Sequence, residues 1–388
     1  MTVATDPTRE RFVAEAEAAV AEAVAPSADK VDRDAIFPSD SITALKRRHL
    51  LGAMVPTELG GGGATLVEIS RVIEVLAAAC ASTAMVYAMH QIQVACLVRH
   101  GSTPELRAFL RRVADEELLL ASATTEAGIG GDVRSSLCAI ERHDDRFRLT
   151  KEASVISYGL DSDAILVTAR RDPEAAISDQ VIVVVEREPD TLEYRGTWDT
   201  LGFRGTCSLG FLLKTEGPVY NIVPDSYADV SAQTMLPTSH VVWSHVWLGI
   251  TNSAIDKARA YIREQARKTP GITPPGALRL AEAVEVWHQF RALVHGTARD
   301  YQEQLADPDA LSGIGFAVRM NNLKLSSSTL VVDIVGRALH VCGIAGYRED
   351  SPYSLSRELR DAYGAALMVN NDRIYARTAQ MLLIAKDL

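Results

Sequence analysis

Three histidines fall within apolar runs patterned as helices: His90 in AMHQIQ, and His240 and His245 in TSHVVWSHVWLGI. A neutral imidazole accepts a proton near pH 7, so each is a candidate base. A histidine on an apolar helix is equally a hydrogen-bonded structural residue. His245 lies five residues beyond His240 and points elsewhere on an ideal helix. His90 could line a pocket, whereas Trp243 and Trp247 read as core. Hydroxyl groups gather at Thr124–Thr125 and at Ser157, where they either satisfy nearby backbone or meet a polar ligand. The five cysteines (Cys80, Cys96, Cys138, Cys207, Cys342) are scattered, odd in number and without CxxC spacing. Neither a disulfide framework nor a metal site is expected from them.

The elements that must position these residues change in texture along the chain. Residues 1–121 read as an N-terminal helical domain, with apolar residues at three- and four-residue spacing in RERFVAEAEAAVAEAVA and in the run from Leu66 to Val98. The glycine-rich VPTELGGGG reads as a loop. Residues 122–229 are rich in short β-branched segments (DAILVTAR, QVIVVVERE, SLGFLLKT) and predict a barrel-like β-domain. From residue 230 to 388 four long helical runs follow one another with short breaks, which predicts a four-helix bundle. The fold class is α+β: helices, then a β-domain, then a bundle, without the strand–helix alternation of a doubly wound sheet.

With 388 residues, 47% of them hydrophobic, the chain can bury a large core. Its net charge of −10 disfavours a phosphate backbone as partner, so no nucleic acid is expected. The opening MTVATDPTRERF has no basic-then-apolar leader pattern, and no run reads as a membrane span. A cytoplasmic protein is expected.

Six motifs, in order and at the right spacing, resemble those of the acyl-CoA dehydrogenase superfamily. They are VPTELGGGG at 55–63, TTEAGIGGDV at 124–133, LTKEASVISYGLDSDAILVTAR at 149–170, TWDTLGFRGTCS at 197–208, HVCGIAGY at 340–347 and LRDAYGAALMVNNDRI at 359–374. The resemblance covers nearly the whole chain. It implies an FAD cofactor, with Thr124, Thr125 and Ser157 beside the flavin ring supplying hydrogen-bond donors from backbone and hydroxyl groups. It implies that Arg267, with His340 and Gly343, meets the FAD of a neighbouring subunit, and that Asn371 and Arg373 also belong to the cofactor site. Gly131, Met368, Val369 and Asn370 fall on the substrate side. A homo-oligomer, dimeric or tetrameric, is implied as well. Ala127, Gly131, His340 and Pro270 depart from the family's usual residues, and Arg360 and Asp361 read as a structural ion pair or cap.

The largest departure concerns the base. Flavin-dependent α,β-desaturation removes a weakly acidic α-proton while hydride leaves the β-carbon, and a carboxylate is the natural acceptor of that proton. The family's usual glutamate slot falls on Val369, and its alternative slot falls on Ser239, followed by His240. Neither holds a carboxylate. His240, with Ser239 beside it, is the expected substitute.

Three functions follow. The first is oxidation of an acyl thioester, linked to CoA or a carrier protein, with electrons passed to an electron-transfer flavoprotein. The second is a flavin-dependent monooxygenase on the same scaffold, supplied by a flavin reductase, which needs no α-proton base. The third is a non-catalytic subunit that completes FAD sites in a hetero-oligomer.

Overall fold

The structure is a computed structural model and describes residues 7–385. Helix α1 (Pro7–Ala19) runs through a π-turn at Val20–Val24 into α2 (Ala25–Asp34), and α3 (Ser39–Arg47) follows. Helix α4 (Leu66–Ala79) starts at a capping box, in which the Glu68 N–H donates to Thr65 Oγ1 (3.3 Å) and the Thr65 N–H to Glu68 Oε2 (2.8 Å). Such a box is worth about 1 kcal/mol and fixes where the helix begins. The apolar run that predicts one helix from Leu66 to Val98 is broken at Cys80, which is extended (φ −150°). It resumes as α5 (Ala81–His100), followed by α6 (Pro104–Asp115). The break is held from outside, because the Arg357 guanidinium donates to the freed Ala79 carbonyl at 3.1 Å.

Seven strands follow: β1 (Leu120–Ala123), β2 (Glu141–His143), β3 (Arg146–Ile156), β4 (Ala164–Arg170), β5 (Gln180–Glu186), β6 (Leu192–Gly196) and β7 (Leu209–Pro218). They form two sheets rather than one closed barrel, in the orders β1-β4-β5 and β2-β3-β7-β6. β1 lies parallel to β4, and every other pairing is antiparallel. β4 and β5 are buried along nearly their whole length, which explains their continuous Val/Ile/Leu runs. β3 instead alternates and turns Phe147, Leu149, Lys151 and Ala153 inward. The buried Lys151 ammonium is satisfied by the Thr168 carbonyl (2.7 Å) and by Glu126 (3.5 Å).

Helices return with α7 (Tyr227–Val230) and a π-turn at Ser231–Met235, which leads directly into α8 (Leu236–Lys268). Then come α9 (Ala277–Gln304), α10 (Pro308–Ser312), α11 (Ile314–Cys342), α12 (Ile344–Tyr347), α13 (Ser356–Gly364) and α14 (Asn371–Leu382). α8 packs lengthwise on α11 and on α4, and α9 closes over both bundle helices. His240 faces Met320, while Gly276 is wedged between Ile262 and Val341, so α8 and α11 run parallel in constant register. The fourth expected long helix is split between α13 and α14 by a turn containing Val369. α11 is long and apolar enough by composition to cross a membrane. In this fold it is a bundle helix, packed on α8 and α9 and carrying Lys324 at its buried centre.

Candidate functional site

The site is built where the start of α8, the middle of α11 and the turn before α14 meet. His240 is 2% exposed, and its Nδ1–H donates to the Met320 carbonyl at 3.0 Å. With the proton fixed on Nδ1, Nε2 carries a free lone pair. Burial, reinforced by the nearby Lys324 cation, pulls this imidazole down to about 4. That makes it neutral at pH 7 and a base about as strong as the carboxylate it would replace. Ser239 does not join it, because its hydroxyl donates back to the Met235 carbonyl (2.5 Å) and serves the helix.

Lys324 was not singled out from the sequence. Its ammonium donates to the Val369 carbonyl (3.0 Å) and to Asn371 Oδ1 (2.5 Å), and it lies 6.0 Å from the centre of the Trp247 ring. Burial lowers its pKa to about 8. A signal was present in the sequence: Met320, Leu323, Lys324, Ser327, Val331, Ile334 and Val335 form one buried stripe of α11 at helical spacing, with a lysine in it.

Val369, where the resemblance puts the family's glutamate slot, has a left-handed conformation (φ 45°) and is 46% exposed. A β-branched residue is costly there, and such strain persists only where surrounding contacts impose it. Here the contact is the Lys324 grip on its carbonyl. Asn370 caps α14 through its side chain, which accepts from the Asp372 N–H (2.8 Å), and Met368 packs partly into the core. Asn371 completes the group by donating to Ser328 Oγ at 3.1 Å.

The β-domain approaches this turn through the 124–133 loop. A Cβ placed on Gly131 (φ 80°) would lie 2.6 Å from Arg373 Nη1, so the α14 guanidinium rests directly on the glycine. Arg373 therefore takes the space that a side chain at residue 131 would need. Glu126 holds the loop's shape by accepting from Ser136 Oγ (2.7 Å), the Leu137 N–H (3.1 Å) and the Cys138 N–H (2.7 Å).

The expected flavin-facing hydroxyls divide. Thr125 spends its proton on the Val155 carbonyl (3.0 Å). Thr206 donates to the Phe203 carbonyl, so it must accept from Ser208, and Ser208 in turn accepts from Ser157 (2.7 Å). Ser157 thus presents lone pairs outward, not a proton, and of the three only Thr124 has a hydroxyl that these bonds leave uncommitted. The Trp243 and Trp247 indole N–H groups of α8, near His240 and Lys324, are buried without partners. An uncommitted hydroxyl, a lone-pair acceptor and orphaned indole donors fit a flat, polar-edged ring such as a flavin.

Several residues lie elsewhere. Arg267, His340 and Gly343 sit at the opposite end of the bundle, about 40 Å along α8 from His240 at 1.5 Å per residue. Gly343 (φ 57°) ends α11 and donates to the Leu339 carbonyl (2.7 Å). His90 is enclosed in the core: the Leu120 N–H donates to its Nδ1 (3.0 Å), so its Nε2–H donates to the Leu51 carbonyl (2.9 Å), and both nitrogens are consumed. Arg360 and Asp361 do not pair with each other. Arg360 pairs with Asp32 and Glu349, and Asp361 accepts from the Phe203 N–H (2.6 Å). Burial pushes two carboxyls, Asp361 and Glu117, up to about 7. Both are bound to backbone N–H groups outside this site.

Comparison with known proteins agrees with this architecture. Residues 6–117 match the pattern described as "Acyl-CoA dehydrogenase, N-terminal domain", and residues 231–368 match "Acyl-CoA dehydrogenase, C-terminal domain". The chain is 26% identical over 345 residues to cyclohex-1-ene-1-carbonyl-CoA dehydrogenase of Geobacter metallireducens, covering 87% of this chain and 88% of that protein. It superposes on butyryl-CoA dehydrogenase from Megasphaera elsdenii with a TM-score of 0.86 at 20% identity, covering 99% of this chain and 100% of that one. The dibenzothiophene monooxygenase of Paenibacillus sp. A11-2 superposes with a TM-score of 0.80 at 18% identity, covering 97% and 96%.

Proposed function

This chain belongs to the acyl-CoA dehydrogenase superfamily, and from that premise we propose that it oxidises an acyl thioester at its α and β carbons without a carboxylate base. The observation that carries the reading is a buried, neutral His240 within the field of the Lys324 cation that grips the turn at Val369. FAD, when bound, accepts the hydride that leaves the β-carbon. His240 Nε2 takes the α-proton, and its Nδ1–H bond to Met320 keeps the ring in the tautomer that can do so. Lys324 places a positive charge where negative charge develops on the substrate as that proton leaves. Thr124, Ser157, Asn371 and Arg373 would hold the flavin, while Gly131, Met368, Val369 and Asn370 shape the substrate side.

The same vacancy favours a second reading. An enzyme that inserts oxygen using reduced flavin needs no α-proton base, and neither Val369 nor Ser239 supplies a carboxylate. One experiment separates the two. Anaerobic addition of a panel of acyl-CoA and carrier-linked thioesters to the FAD-loaded protein bleaches the flavin on the first reading. No bleaching with any thioester, together with substrate-dependent oxygen consumption by the reduced protein, sinks it in favour of the second.

The separation of His240 from Arg267, His340 and Gly343 supports a homo-oligomer, in which the far end of one bundle serves the flavin of another copy. An electron-transfer flavoprotein is the acceptor this chemistry calls for, or a flavin reductase the donor on the second reading. Five free thiols fit a cytoplasmic setting.

A further inference from the structure

One turn beyond His240, α8 carries a second buried imidazole that the flavin chemistry does not use. His245 on α8, Glu74 on α4 and His295 on α9 each bring a ligand atom to a common point, all within 4.8 Å of one another. Glu74 and His295 are 221 residues apart, so sequence spacing could not reveal the set.

Its chemistry is that of a prepared metal site. The His245 Nδ1–H donates to the Val241 carbonyl at 2.9 Å, which leaves the Nε2 lone pair free, and the residue is 1% exposed. No hydrogen bond among the described residues uses that Nε2. Metal-binding histidines are oriented in this way, with one nitrogen anchored to a carbonyl and the other offered to the ion. The carboxylate is also held from behind. Glu74 Oε1 accepts from Asn252 Nδ2 (2.8 Å), and Asn252 Oδ1 accepts from the Trp287 indole N–H (2.8 Å). Glu74 Oε2 meets His295 Nε2 at 2.9 Å. The two imidazole centres are 5.6 Å apart with ring planes 17° from parallel. Two imidazoles sharing one tetrahedral ion at about 2.0–2.1 Å per bond have their centres about 5 Å apart. The half-exposed His295 (36%) and the Glu74 side chain (17%) leave an approach from solvent, with His245 as the floor.

We propose that Glu74, His245 and His295 bind a divalent transition metal, with Zn²⁺ the best match to two imidazoles and one carboxylate, leaving a fourth position for water. His295 ligates through Nε2 once that nitrogen gives up the proton it shares with Glu74, which moves to Nδ1 or leaves to solvent. The ion joins three helices at once. It clamps α4 of the N-terminal domain to α8 and α9 of the bundle, on the side of α8 that faces away from Lys324. Neither reading of the flavin chemistry bears on this site.

The test uses the full-length, FAD-loaded protein, stripped with chelator and dialysed against ZnCl₂ or CoCl₂. The expected result is one Zn²⁺ per chain with a Kd of micromolar or tighter, a thermal midpoint that rises with added Zn²⁺, and a visible d–d absorption band with Co²⁺. His295→Ala, at a half-exposed position, and Glu74→Gln lower the affinity at least tenfold while flavin content stays unchanged. Asn252→Ala weakens binding by about 10–100-fold, the usual cost of losing an outer partner. Absence of stoichiometric binding below 1 mM overturns the proposal. So does Zn²⁺ affinity that is the same in His295→Ala and Glu74→Gln as in the unaltered protein.

Discussion

His240 and His245 lie five residues apart on α8, both buried and both pulled down to about 4 by burial, yet the two faces of the helix surround them with opposite charge. His240 faces α11 and a lysine, whereas His245 faces α4 and a carboxylate, Glu74. Each anchors its Nδ1–H on a backbone carbonyl and so frees Nε2. Burial therefore decides that both rings are neutral, and the neighbour decides what a neutral ring is for. A lone pair beside a cation can take a proton as negative charge develops next to it. A lone pair beside a carboxylate and a second imidazole is part of a ligand set. Residue type and burial alone would not have separated the two roles.

The sharpest way to break this contrast is to remove the first ring. His240→Asn is expected to lower kcat for thioester oxidation by ~10²–10⁴-fold, the usual worth of a positioned base. His295→Ala, on the other face, should leave kcat within about twofold, as a substitution remote from the chemistry does. Stopped-flow flavin reduction measures both, and equal losses would dissolve the distinction. Lys324→Met comes next, with an expected loss of about tenfold or more from removing a preorganised charge. The pH profile sharpens the same point. Lys324 titrates near 8 and is charged below that value, so the rate should hold between pH 5 and 7 and fall as pH rises through about 8. His240 adds no acidic limb in that range, because it is already neutral well above about 4. In Lys324→Arg the alkaline fall should disappear, since guanidinium stays charged. A fall that persists in Lys324→Arg belongs to another group. The smallest effect is on stability. Val369→Gly relieves a left-handed β-branched residue and should stabilise the protein by about 1 kcal/mol, read as a rise of a few degrees in Tm.

Much of this was legible beforehand. The order of helices, strands and helices follows from apolar periodicity, and DAILVTAR, QVIVVVERE and SLGFLLKT become β4, β5 and β7. That Val369 and Ser239, where the resemblance puts the family's glutamate slots, are not carboxylates is read directly from residue identity. What the sequence could not display are contacts between distant segments. The rest of Arg373 on Gly131, the grip of Lys324 on Val369 and the convergence of Glu74 with His295 each depend on how helices pack. The break at Cys80 was hidden for the same reason, since the guanidinium that receives the Ala79 carbonyl comes from α13. The direction of the hydroxyl protons is equally beyond the sequence, because it depends on partners: the chain from Ser157 through Ser208 to Thr206 is set by the Phe203 carbonyl at its end.

The grip of Lys324 falls on the main chain of residue 369, not on its side chain. The turn is thus anchored by an atom that every amino acid possesses, and the side chain projects, 46% exposed, with little duty to the fold. Such a position is an interchangeable socket. A saturation library at residue 369 should yield folded variants at most members, with glycine and asparagine the most stable, and should diverge chiefly in which substrates they accept. The architecture leaves the identity of residue 369 open to selection by the chemistry rather than by the fold.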